Sequence, residues 1–455
     1  MTASEQGLPR LLAGIPPHGA LTLTEHLELH GELPQPGRRR GRRGEPELIE
    51  LVEQAGLRGR GGGGFPTGAK LRAVTDAASG PLGGRPVVVV NGAESEPASS
   101  KDRTLLAALP QLVLDGAELA ARAVGAEEIV ICVCESAGTV SRSLTDAVAE
   151  RQRHARRGAP GMRLAAVPGR YVASQETALV NHLGGGPALP TFTPPRPFQR
   201  GVRRRPTLVS NAETVAHLAL ILRHGPQWFR QLGTPEQPGS ALVTLAGPVP
   251  HPGVYEIELG SLLGDLLAAA GGLQADVRAV LFGGYAGSFV GGEHLPGLAL
   301  SDEHLAPHGA TLGAGVVALL SDRSCPVAEL TRLTRWLAAQ SARQCGPCVF
   351  GLEAIADTVE QVTLGTAGRD ARSRLQALAS LVRGRGACGH PDGVARLITS
   401  AVEVFADELA DHAQHGPCAA CEQPSELPRP RAASGARRPA GAGDPSAPLS
   451  LAGRV

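Results

Sequence analysis

Lysine is almost absent from this chain of 455 residues. Only two of its 44 basic residues are lysine, Lys70 and Lys101, and the others are arginine. With 59 glycines and 37 prolines, this bias is typical of a GC-rich coding sequence and carries little information about the fold. An ammonium is smaller, more strongly hydrated and more flexible than a guanidinium. The two lysines are therefore candidates for functional positions.

Aromatic residues, long apolar runs and net charge are also scarce. Aromatics make up 3% of the chain, so its cores must be built mainly from leucine, valine, alanine and isoleucine. No run approaches the ~18 apolar residues of a membrane helix, and residues 1–20 lack the pattern of a secretory signal. We therefore expect a cytoplasmic protein. A net charge of +1 argues against a nucleic-acid coat and against an acidic disordered chain.

The N-terminal segment, residues 1–45, is predicted to be an irregular extension rich in proline and glycine. It ends in a basic run, Arg38 to Arg43. No aromatic residues are interleaved with this run, so we interpret it as a solvated linker and expect no nucleic-acid partner.

A parallel sheet is predicted for the first large domain, residues 46–230. Two short β-branched runs, at 85–91 and 128–133, have the pattern of buried strands, and an apolar-periodic helix is predicted between them at 103–124. Strand, helix and strand in this order form a βαβ unit, which places ligands at the carboxyl ends of the strands. The predicted fold class is therefore α/β.

Two smaller domains are predicted to follow. Residues 240–322 have the pattern of a ββαβ-type α+β domain, with strands at 241–245, 253–257, 279–282 and 315–320 and a helix at 261–270. Residues 325–415 are predicted to form a four-helix bundle, with helices at 327–339, 351–361, 371–382 and 393–412. Residues 423–455 have almost no large apolar side chains, and we expect a disordered tail.

A glycine-dense loop between residues 56 and 70 is the first candidate binding motif. It contains a G-x-G-x-x-G match at Gly59, Gly61 and Gly64, but a helical pattern precedes it, whereas a dinucleotide fingerprint requires a strand. Glycines still let backbone N–H groups approach a phosphate or a flat ring closely. Phe65 offers a stacking face, and three cations flank it, at Arg58, Arg60 and Lys70.

Polar residues follow the first predicted strand and precede two helices. Asn91, Glu94, Ser95 and Glu96 leave the end of the strand, with Lys101 shortly after them. Carboxylates there can accept hydrogen bonds from ribityl or ribose hydroxyls, and the lysine can pair with a phosphate or a carboxylate. Similar polar groups stand before the helices predicted at 176–183 and 214–224, where helix N-termini favour anions.

The cysteines of the helical region suggest a metal site. Two C-x-x-C pairs, Cys345/Cys348 and Cys418/Cys421, and the single Cys388 suit iron–sulfur or zinc binding in a reducing compartment. A redox dithiol at Cys345 and Cys348 is an alternative, but the thioredoxin-like βαβ pattern that usually carries one is missing from this region.

Taken together and in order, these motifs resemble the NADH-binding flavoprotein (the F subunit) of respiratory complex I and its diaphorase relatives. The resemblance covers about residues 46–412 and includes a β-grasp (SLBB) domain near 241–300. It implies FMN in a Rossmann-like domain, NADH stacked on the flavin, hydride transfer, and single-electron transfer to a [4Fe-4S] cluster in the helical domain.

The resemblance also implies roles for individual residues. Glu94 and Phe65 would act at the reacting ring, and Cys345, Cys348 and Cys388 would ligate iron. The remaining cofactor-binding residues implied are Arg58, Gly59, Gly61, Gly62, Gly64, Gly68, Lys70, Asn91, Ser95, Glu96, Lys101, Tyr171, Gln175, Glu176, Thr177, Asn211 and Thr214.

Departures from the family pattern concern the cluster, the flavin loop and the choice of nucleotide. The first cluster cysteine of the family is Ala342 here, so a fourth ligand is expected from Cys418 or Cys421. In the flavin loop Ala93 replaces an acidic residue. Gln175 replaces a carboxylate expected near the adenosine ribose, which would weaken discrimination against NADPH.

The leading hypothesis is an NAD(P)H-oxidising flavoprotein that passes electrons to a thioredoxin-like [2Fe-2S] subunit or a small ferredoxin. Its departures from the family motifs make the chain resemble a divergent paralogue of the F subunit. One expected location is the periphery of a membrane-bound reductase complex, of which this chain would be a subunit. The alternative is a degenerate scaffold or ligand-binding subunit that keeps the fold without turnover.

Overall fold

A computed structural model describes residues 7–33, 45–80, 83–154 and 158–430. The basic run at 38–43 and residues 431–455 of the predicted tail lie outside these ranges. Within them the chain forms an α/β unit, a β-grasp unit and a helical unit, in that order. This order and the α/β class confirm the prediction.

The α/β unit is built on a parallel four-stranded sheet whose strands are arranged β3-β2-β1-β4. Strand β1 begins with four consecutive valines, all fully buried, as expected for a central parallel strand covered on both faces. The strands are β1 (Val87–Gly92), β2 (Glu128–Cys134), β3 (Gly161–Val167) and β4 (Thr207–Asn211).

Helices cover both faces of this sheet, and one of them differs from its prediction. The helix predicted at 103–124 is two helices at 97° to each other, because Leu109 is non-helical and Pro110 starts the second helix. Among the described residues no single helix is long and apolar enough to cross a membrane, although this bent pair passes on length and composition. The helices are α1 (Leu23–His30), α2 (Pro46–Ala55), α3 (Thr67–Ser79), α4 (Lys101–Ala108), α5 (Pro110–Val124), α6 (Gly138–His154), α7 (Glu176–Leu183), α8 (Pro197–Arg200), α9 (Ala212–His224) and α10 (Pro226–Phe229).

The order of the strands creates a ligand crevice beside β1. After β1 the chain continues to β2 and β3 on one side and then returns to β4 on the other. Loops therefore diverge at the carboxyl ends of β1 and β4, the position at which open α/β sheets bind ligands. Asn91 and Asn211 are partners in register at this point, so two motifs distant in sequence become neighbours.

The β-grasp unit contains a mixed five-stranded sheet with strands in the order β6-β5-β9-β7-β8. The sequence predicted four of these strands and the helix but missed β8, which has only four residues. The elements are β5 (Ser240–Ala246), β6 (Gly253–Glu258), α11 (Leu263–Ala269), β7 (Val277–Phe282), β8 (Ser288–Gly291), α12 (Asp302–Leu305) and β9 (Val316–Ser321).

The helical unit has five α-helices, not four, among the described residues. The helix predicted at 393–412 starts earlier and is broken at Phe405, which has non-helical φ and ψ and is buried at the break. The helices are α13 (Pro326–Ala339), α14 (Leu352–Thr363), α15 (Ala371–Val382), α16 (His390–Val404) and α17 (Ala406–His415), with a π-turn at Pro347–Gly351 and a 3-10 turn at Ala419–Glu422.

The chain remains packed beyond residue 423, where disorder was expected to begin. The Glu426 carboxylate accepts hydrogen bonds from the backbone and hydroxyl of Ser321. Ser425 donates to Glu329 at 2.7 Å, and Leu427 is buried. A few contacts to charged and polar partners thus order a segment with little apolar surface of its own.

Candidate functional site

A cleft of about 1110 Å³ lies where the three units meet. The loops after β1 and β4 and the glycine loop form one wall. The opposite walls come from turns of the β-grasp unit, at 283–288 and 311–314, and from Cys388 and the start of α16. Cys388 was predicted as an iron ligand, but the sequence does not indicate that these segments reach the cleft, because only tertiary packing brings them there.

All but three of the predicted cofactor-binding residues line this cleft. The three exceptions are Arg58, Gly68 and Thr177. Arg58 is exposed and points into smaller pockets, Gly68 packs on Glu53, and Thr177 is buried in the first turn of α7, where it hydrogen-bonds to Gln175. For these three residues, contact with the cofactor stays a prediction.

The glycine loop is an ordered turn held at both ends. The Gly59 N–H donates to the Phe65 carbonyl at 2.9 Å, and the Arg60 N–H donates to the Thr214 hydroxyl at 2.8 Å. Gly62 has a φ of +95° and faces the backbone of Gly313 across the cleft, so this loop presents backbone to the ligand space. Phe65 remains 57% exposed, as required of a ring that stacks on a ligand.

Lys70 and Gln175 are engaged at the same edge of the cleft. The Lys70 ammonium lies 2.7 Å from the Glu176 carboxylate, and both side chains are partly exposed. Gln175 is the N-cap of α7, since its side-chain oxygen accepts from the backbone N–H groups of Thr177 and Ala178. A neutral cap and a lysine–glutamate pair therefore define the charge at this edge.

The loop after β1 is fastened to the segment around Tyr171. The Asn91 amide donates to the Ser174 carbonyl at 2.9 Å, and the Ser95 hydroxyl donates to the Tyr171 carbonyl at 2.8 Å. The Glu94 carboxylate accepts from Ser99 and from the N–H groups of Asp102 and Arg103. Glu94 thus lines the cleft while serving as an acceptor at the start of α4.

Glu96 lines the cleft and connects the α/β unit with the β-grasp unit. It is buried, accepts from the Tyr171 hydroxyl at 3.3 Å, and has the backbone of Gly284 so close that a Cβ there would lie 2.5 Å from its carboxylate. Burial raises the pKa of Glu96 to about 7, although hydrogen bonds from the backbone N–H groups of Ala98 and Tyr285 and from the Tyr171 hydroxyl oppose the shift. This carboxyl can therefore hold a proton near neutral pH.

Glu96→Gln should change how stability depends on pH. The folded pKa of about 7 lies above the ordinary value of 4.5, so the folded state binds the extra proton and loses stability as pH rises through this window. Removing the group should stabilise the variant relative to the parent by up to about 3 kcal/mol at alkaline pH and have little effect near pH 4.5. Denaturant unfolding of the FMN-free proteins across this range measures the difference, and parallel curves would contradict the assignment.

Lys101 reaches the wall of the cleft from within a buried ion cluster. Its ammonium is 3.1 Å from Asp102, 2.7 Å from Glu213 and 3.5 Å from the Asn211 side-chain oxygen. That Asn211 oxygen also caps α9 by accepting from the Glu213 N–H at 3.1 Å. The second lysine therefore positions the strand ends that form the crevice.

The residues of the cleft fit FMN and a nicotinamide nucleotide. Its volume accommodates two stacked rings. The glycine loop leaves room for them, because a Cβ at Gly63 would meet nothing within 4 Å. Phe65, Lys70, Asn91 and Glu176 supply a stacking face, a cation, an amide and a carboxylate around this space. These are the groups that a flavin ring, a phosphate and sugar hydroxyls require.

Three cysteines converge beside the cleft. Burial and the neighbouring Cys345 thiol raise the pKa of both Cys348 and Cys388, so the three thiols lie within electrostatic reach of one another. Cys388 lines the cleft itself. As a donor set, three thiols near one another suit an iron–sulfur cluster, so the residues fit that group at three of its four positions.

The expected fourth ligand lies elsewhere. The thiols of Cys418 and Cys421 group with Cys325 and His412, all four ligand atoms within 4.8 Å of one another. The reason is the path of the chain, since residues 416–422 turn back from α17 onto the start of α13. Cys418 and Cys421 thus belong to a separate group of potential ligands in this structure, and the source of the fourth cluster ligand stays a prediction.

Comparison with known proteins identifies relatives along most of the chain. Residues 52–220 match the Nuo51 FMN-binding domain, 242–284 the SLBB domain, and 328–412 the NADH-ubiquinone oxidoreductase-F iron-sulfur binding region. The F subunit of NADH-quinone oxidoreductase from Mycobacterium tuberculosis is 32% identical over 382 residues, covering 82% of this chain and 86% of the relative. Its counterpart from Streptomyces coelicolor is 33% identical over 376 residues, covering 80% and 83%.

A solved structure shows the same architecture. The NAD+-reducing [NiFe]-hydrogenase in its H2-reduced state aligns with a TM-score of 0.74 at 30% identity, covering 83% of this chain. The match spans 64% of the hydrogenase chain, less than two thirds of its length. The common part therefore excludes a substantial portion of that neighbour.

Proposed function

Since this chain belongs to the family of the F subunit of NADH-quinone oxidoreductase, we propose which of its residues hold the cofactors that transfer hydride and electrons. It is an NADH-oxidising flavoprotein with an FMN domain and a 4Fe-4S-binding region. FMN held in this cleft would supply the chemistry that takes up a hydride from NADH and passes on single electrons. The assignment of individual residues rests on the cleft.

The observation that carries the proposal is that Cys388 lines the same cavity as Lys70, Asn91 and Glu96. A proposed cluster ligand and proposed cofactor-binding residues thus line the same cleft, which would give electrons a short path into the helical unit. Cys345, Cys348 and Cys388 would hold the cluster. His390, two residues after Cys388, packs edge-on to Tyr171 at 5.5 Å between ring centroids and fixes this contact between units.

The cleft residues divide the work of binding and positioning. Backbone of the glycine loop admits the flavin closely, and Phe65 covers one exposed ring face. Lys70 would exchange part of its pairing with Glu176 for a phosphate, while Glu176 accepts from sugar hydroxyls. Glu96 holds or releases a proton between Tyr171 and the β-grasp turn at neutral pH. Glu94 keeps α4 and its loop in place.

Anaerobic purification followed by a titration with NADH tests this function. We expect bound flavin whose visible absorption bleaches with NADH, and iron with acid-labile sulfide in the same sample. A colourless protein that folds, binds no FMN when it is supplied and does not oxidise NADH would instead support the scaffold alternative.

The nucleotide preference should depend on Gln175. A neutral side chain at the start of α7 does not repel a 2′-phosphate, whereas glutamate could still cap the helix but would add a negative charge. We expect Gln175→Glu to lower kcat/KM for NADPH roughly tenfold, about 1.4 kcal/mol, with less than a twofold change for NADH. Steady-state kinetics with both nucleotides measure this. A strong preference for NADH in the parent that the variant leaves unchanged would rule out the role.

A small iron–sulfur protein is the acceptor that we propose, either a thioredoxin-like [2Fe-2S] subunit or a ferredoxin, in the cytoplasm or at the peripheral face of a membrane-bound reductase. Relatives carry the names of subunits of larger enzymes. Phe350, two residues after Cys348, is 75% exposed and is the kind of side chain that anchors an interface. Co-purification with an iron-containing partner that Phe350→Ser weakens would support this surface.

A further inference from the structure

Four potential metal ligands lie together at the C-terminal end of the helical unit. They are Cys325 before α13, His412 in α17, and Cys418 and Cys421 around the 3-10 turn that follows. Their ligand atoms all lie within 4.8 Å of one another, and Cys325, His412 and Cys421 are buried. We propose that these residues bind a single structural zinc ion, separate from the iron–sulfur cluster.

The spacing of the ligand atoms fits one tetrahedral ion. Sγ of Cys421 lies 3.5 Å from Sγ of Cys325 and 3.8 Å from Sγ of Cys418. Nε2 of His412 lies 3.4 Å from Sγ of Cys325. With Zn–S bonds of about 2.3 Å, tetrahedral geometry places two thiolates about 3.8 Å apart. A cubane would bind each thiolate through a different iron and so require a wider ligand set.

The surroundings orient the ligands as metal sites usually require. His412 directs Nε2 at the thiols, and its other ring nitrogen, Nδ1, lies 3.5 Å from the Thr363 carbonyl. This is the common arrangement in which a backbone carbonyl fixes the histidine tautomer. Sγ of Cys325 accepts the Ala328 N–H at the start of α13, where the helix end favours a thiolate.

The ligand set suits zinc. Three thiolates and one imidazole fill all four tetrahedral positions and leave none open for substrate, as in structural zinc sites. The C-x-x-C spacing of Cys418 and Cys421 is the spacing typical of such sites. Cys418 and Cys421 lie beyond residue 412, where the match to the iron–sulfur region ends, so that region of the family does not account for this set.

The ion would join the C-terminal segment to the helical unit. The segment packs through contacts to Ser321 and Glu329, and Tyr285 donates to the carbonyl of Pro428. Zinc would fasten it to α13 and α17 at once. It would also take up Cys418 and Cys421 as zinc ligands. Among the described residues, three converging cysteines would then remain for the iron–sulfur cluster: Cys345, Cys348 and Cys388.

Metal analysis of the full chain, produced with both iron and zinc supplied, tests the proposal. We expect about one zinc per chain in the parent. Cys421→Ser should reduce zinc to near zero while keeping iron, whereas Cys345→Ser should reduce iron while keeping zinc. Cys134→Ser, a cysteine at the end of β2, is the matched control and should keep both metals.

Two further measurements use the parent protein, so their results do not depend on whether the Cys421→Ser variant folds. The parent grown with cobalt should show the ligand-field bands of tetrahedral thiolate-bound Co²⁺ at wavelengths beyond the flavin absorption. A thiol-reactive mercurial should release zinc from the parent and lower the hydrogen-exchange protection of residues 416–428. Folded parent without zinc, zinc that persists in Cys421→Ser, or iron lost from Cys421→Ser would each overturn the proposal.

Discussion

Replacing Lys101 with methionine is expected to destabilise the FMN-free protein by about 3–5 kcal/mol, the usual effect of breaking a buried ion pair. Methionine keeps much of the aliphatic stem, which packs against Gly315, but it removes the charge. The matched change at the other lysine, Lys70→Met, should cost only about 0–1 kcal/mol, because exposed ion pairs contribute little. Denaturant unfolding of both variants measures the contrast.

The difference follows from what each ammonium contacts. Lys101 is 2% exposed and lies between Asp102 and Glu213, so its loss leaves two buried carboxylates without a counterion. Burial by itself would raise the pKa of Glu213, but the charge of Lys101 acts together with the His217 ring and the charge of Arg60 to lower that pKa to about 2. Lys70 is paired with Glu176 at the mouth of the cleft, where water and salt screen the pair.

The stability deficit of Lys101→Met should grow with pH. In the parent, the depressed pKa of Glu213 contributes stability above its ordinary value, and this contribution is lost as pH falls. In the variant, the same carboxyl prefers its protonated form, so the folded state loses stability as pH rises. The parent effect enlarges the deficit as pH rises from about 2 to about 4.5, and the variant effect enlarges it further above pH 4.5. A deficit that is independent of pH, or equal in the two lysine variants, would contradict the buried-cluster account.

FMN occupancy should separate the two roles further. We expect both variants to bind FMN more weakly, Lys70→Met through lost charge at the cofactor and Lys101→Met through a displaced crevice. Only Lys101→Met should also lower the free energy of unfolding of the FMN-free protein. The scarcity of lysine in the sequence drew attention to both positions, but the sequence did not distinguish a cation at the cleft edge from one buried beneath it.

Local motifs account for most of what the sequence predicted. Buried strands, helix starts and the glycine loop depend on neighbouring residues, so the α/β class and the residues on one wall of the cleft could be predicted. The break of the helix at Leu109 was also a local signal, in Pro110, but the apolar periodicity on both sides concealed it.

Contacts between distant segments could not be predicted in the same way. Gly284 reaches Glu96, and Cys325 meets His412, 87 residues away, only after three units have packed together. Spacing grouped Cys418 with Cys421 correctly but could not show which partners would complete their set. The raised pKa of Glu96 could not be predicted either, because its cause is burial and nothing near Glu96 in the sequence indicates that burial.

Restoring a cysteine at position 342 should complete the iron cluster. Ala342 is nearly buried and lies three residues before Cys345, the same spacing that separates Cys345 from Cys348. A thiol at position 342 would therefore extend the set of converging cysteines. We expect the parent to hold a labile cluster with about three irons after exposure to air, since an iron without a protein thiolate is readily lost. Ala342→Cys should hold about four.

Iron and sulfide analysis with EPR before and after air exposure measures this difference. The lifetime of the cluster in air should lengthen at least roughly tenfold, equivalent to about 1.4 kcal/mol, a modest value for one added metal–thiolate bond. Ala342→Ser is the control, because it adds a polar atom of similar reach without a soft ligand and should leave the iron content unchanged.

The combination with Cys421→Ser makes the result decisive for both metal sites. If Cys418 and Cys421 serve zinc alone, removing Cys421 should leave iron unchanged in the parent and in Ala342→Cys alike. If Cys421 instead completes the cluster, its removal should lower iron in the parent, and Ala342→Cys should rescue that loss. If Cys421→Ser leaves the iron content unchanged with or without Ala342→Cys, three cysteines bind iron and three bind zinc. If Ala342→Cys instead rescues iron lost on Cys421→Ser, Cys418 and Cys421 belong to the cluster.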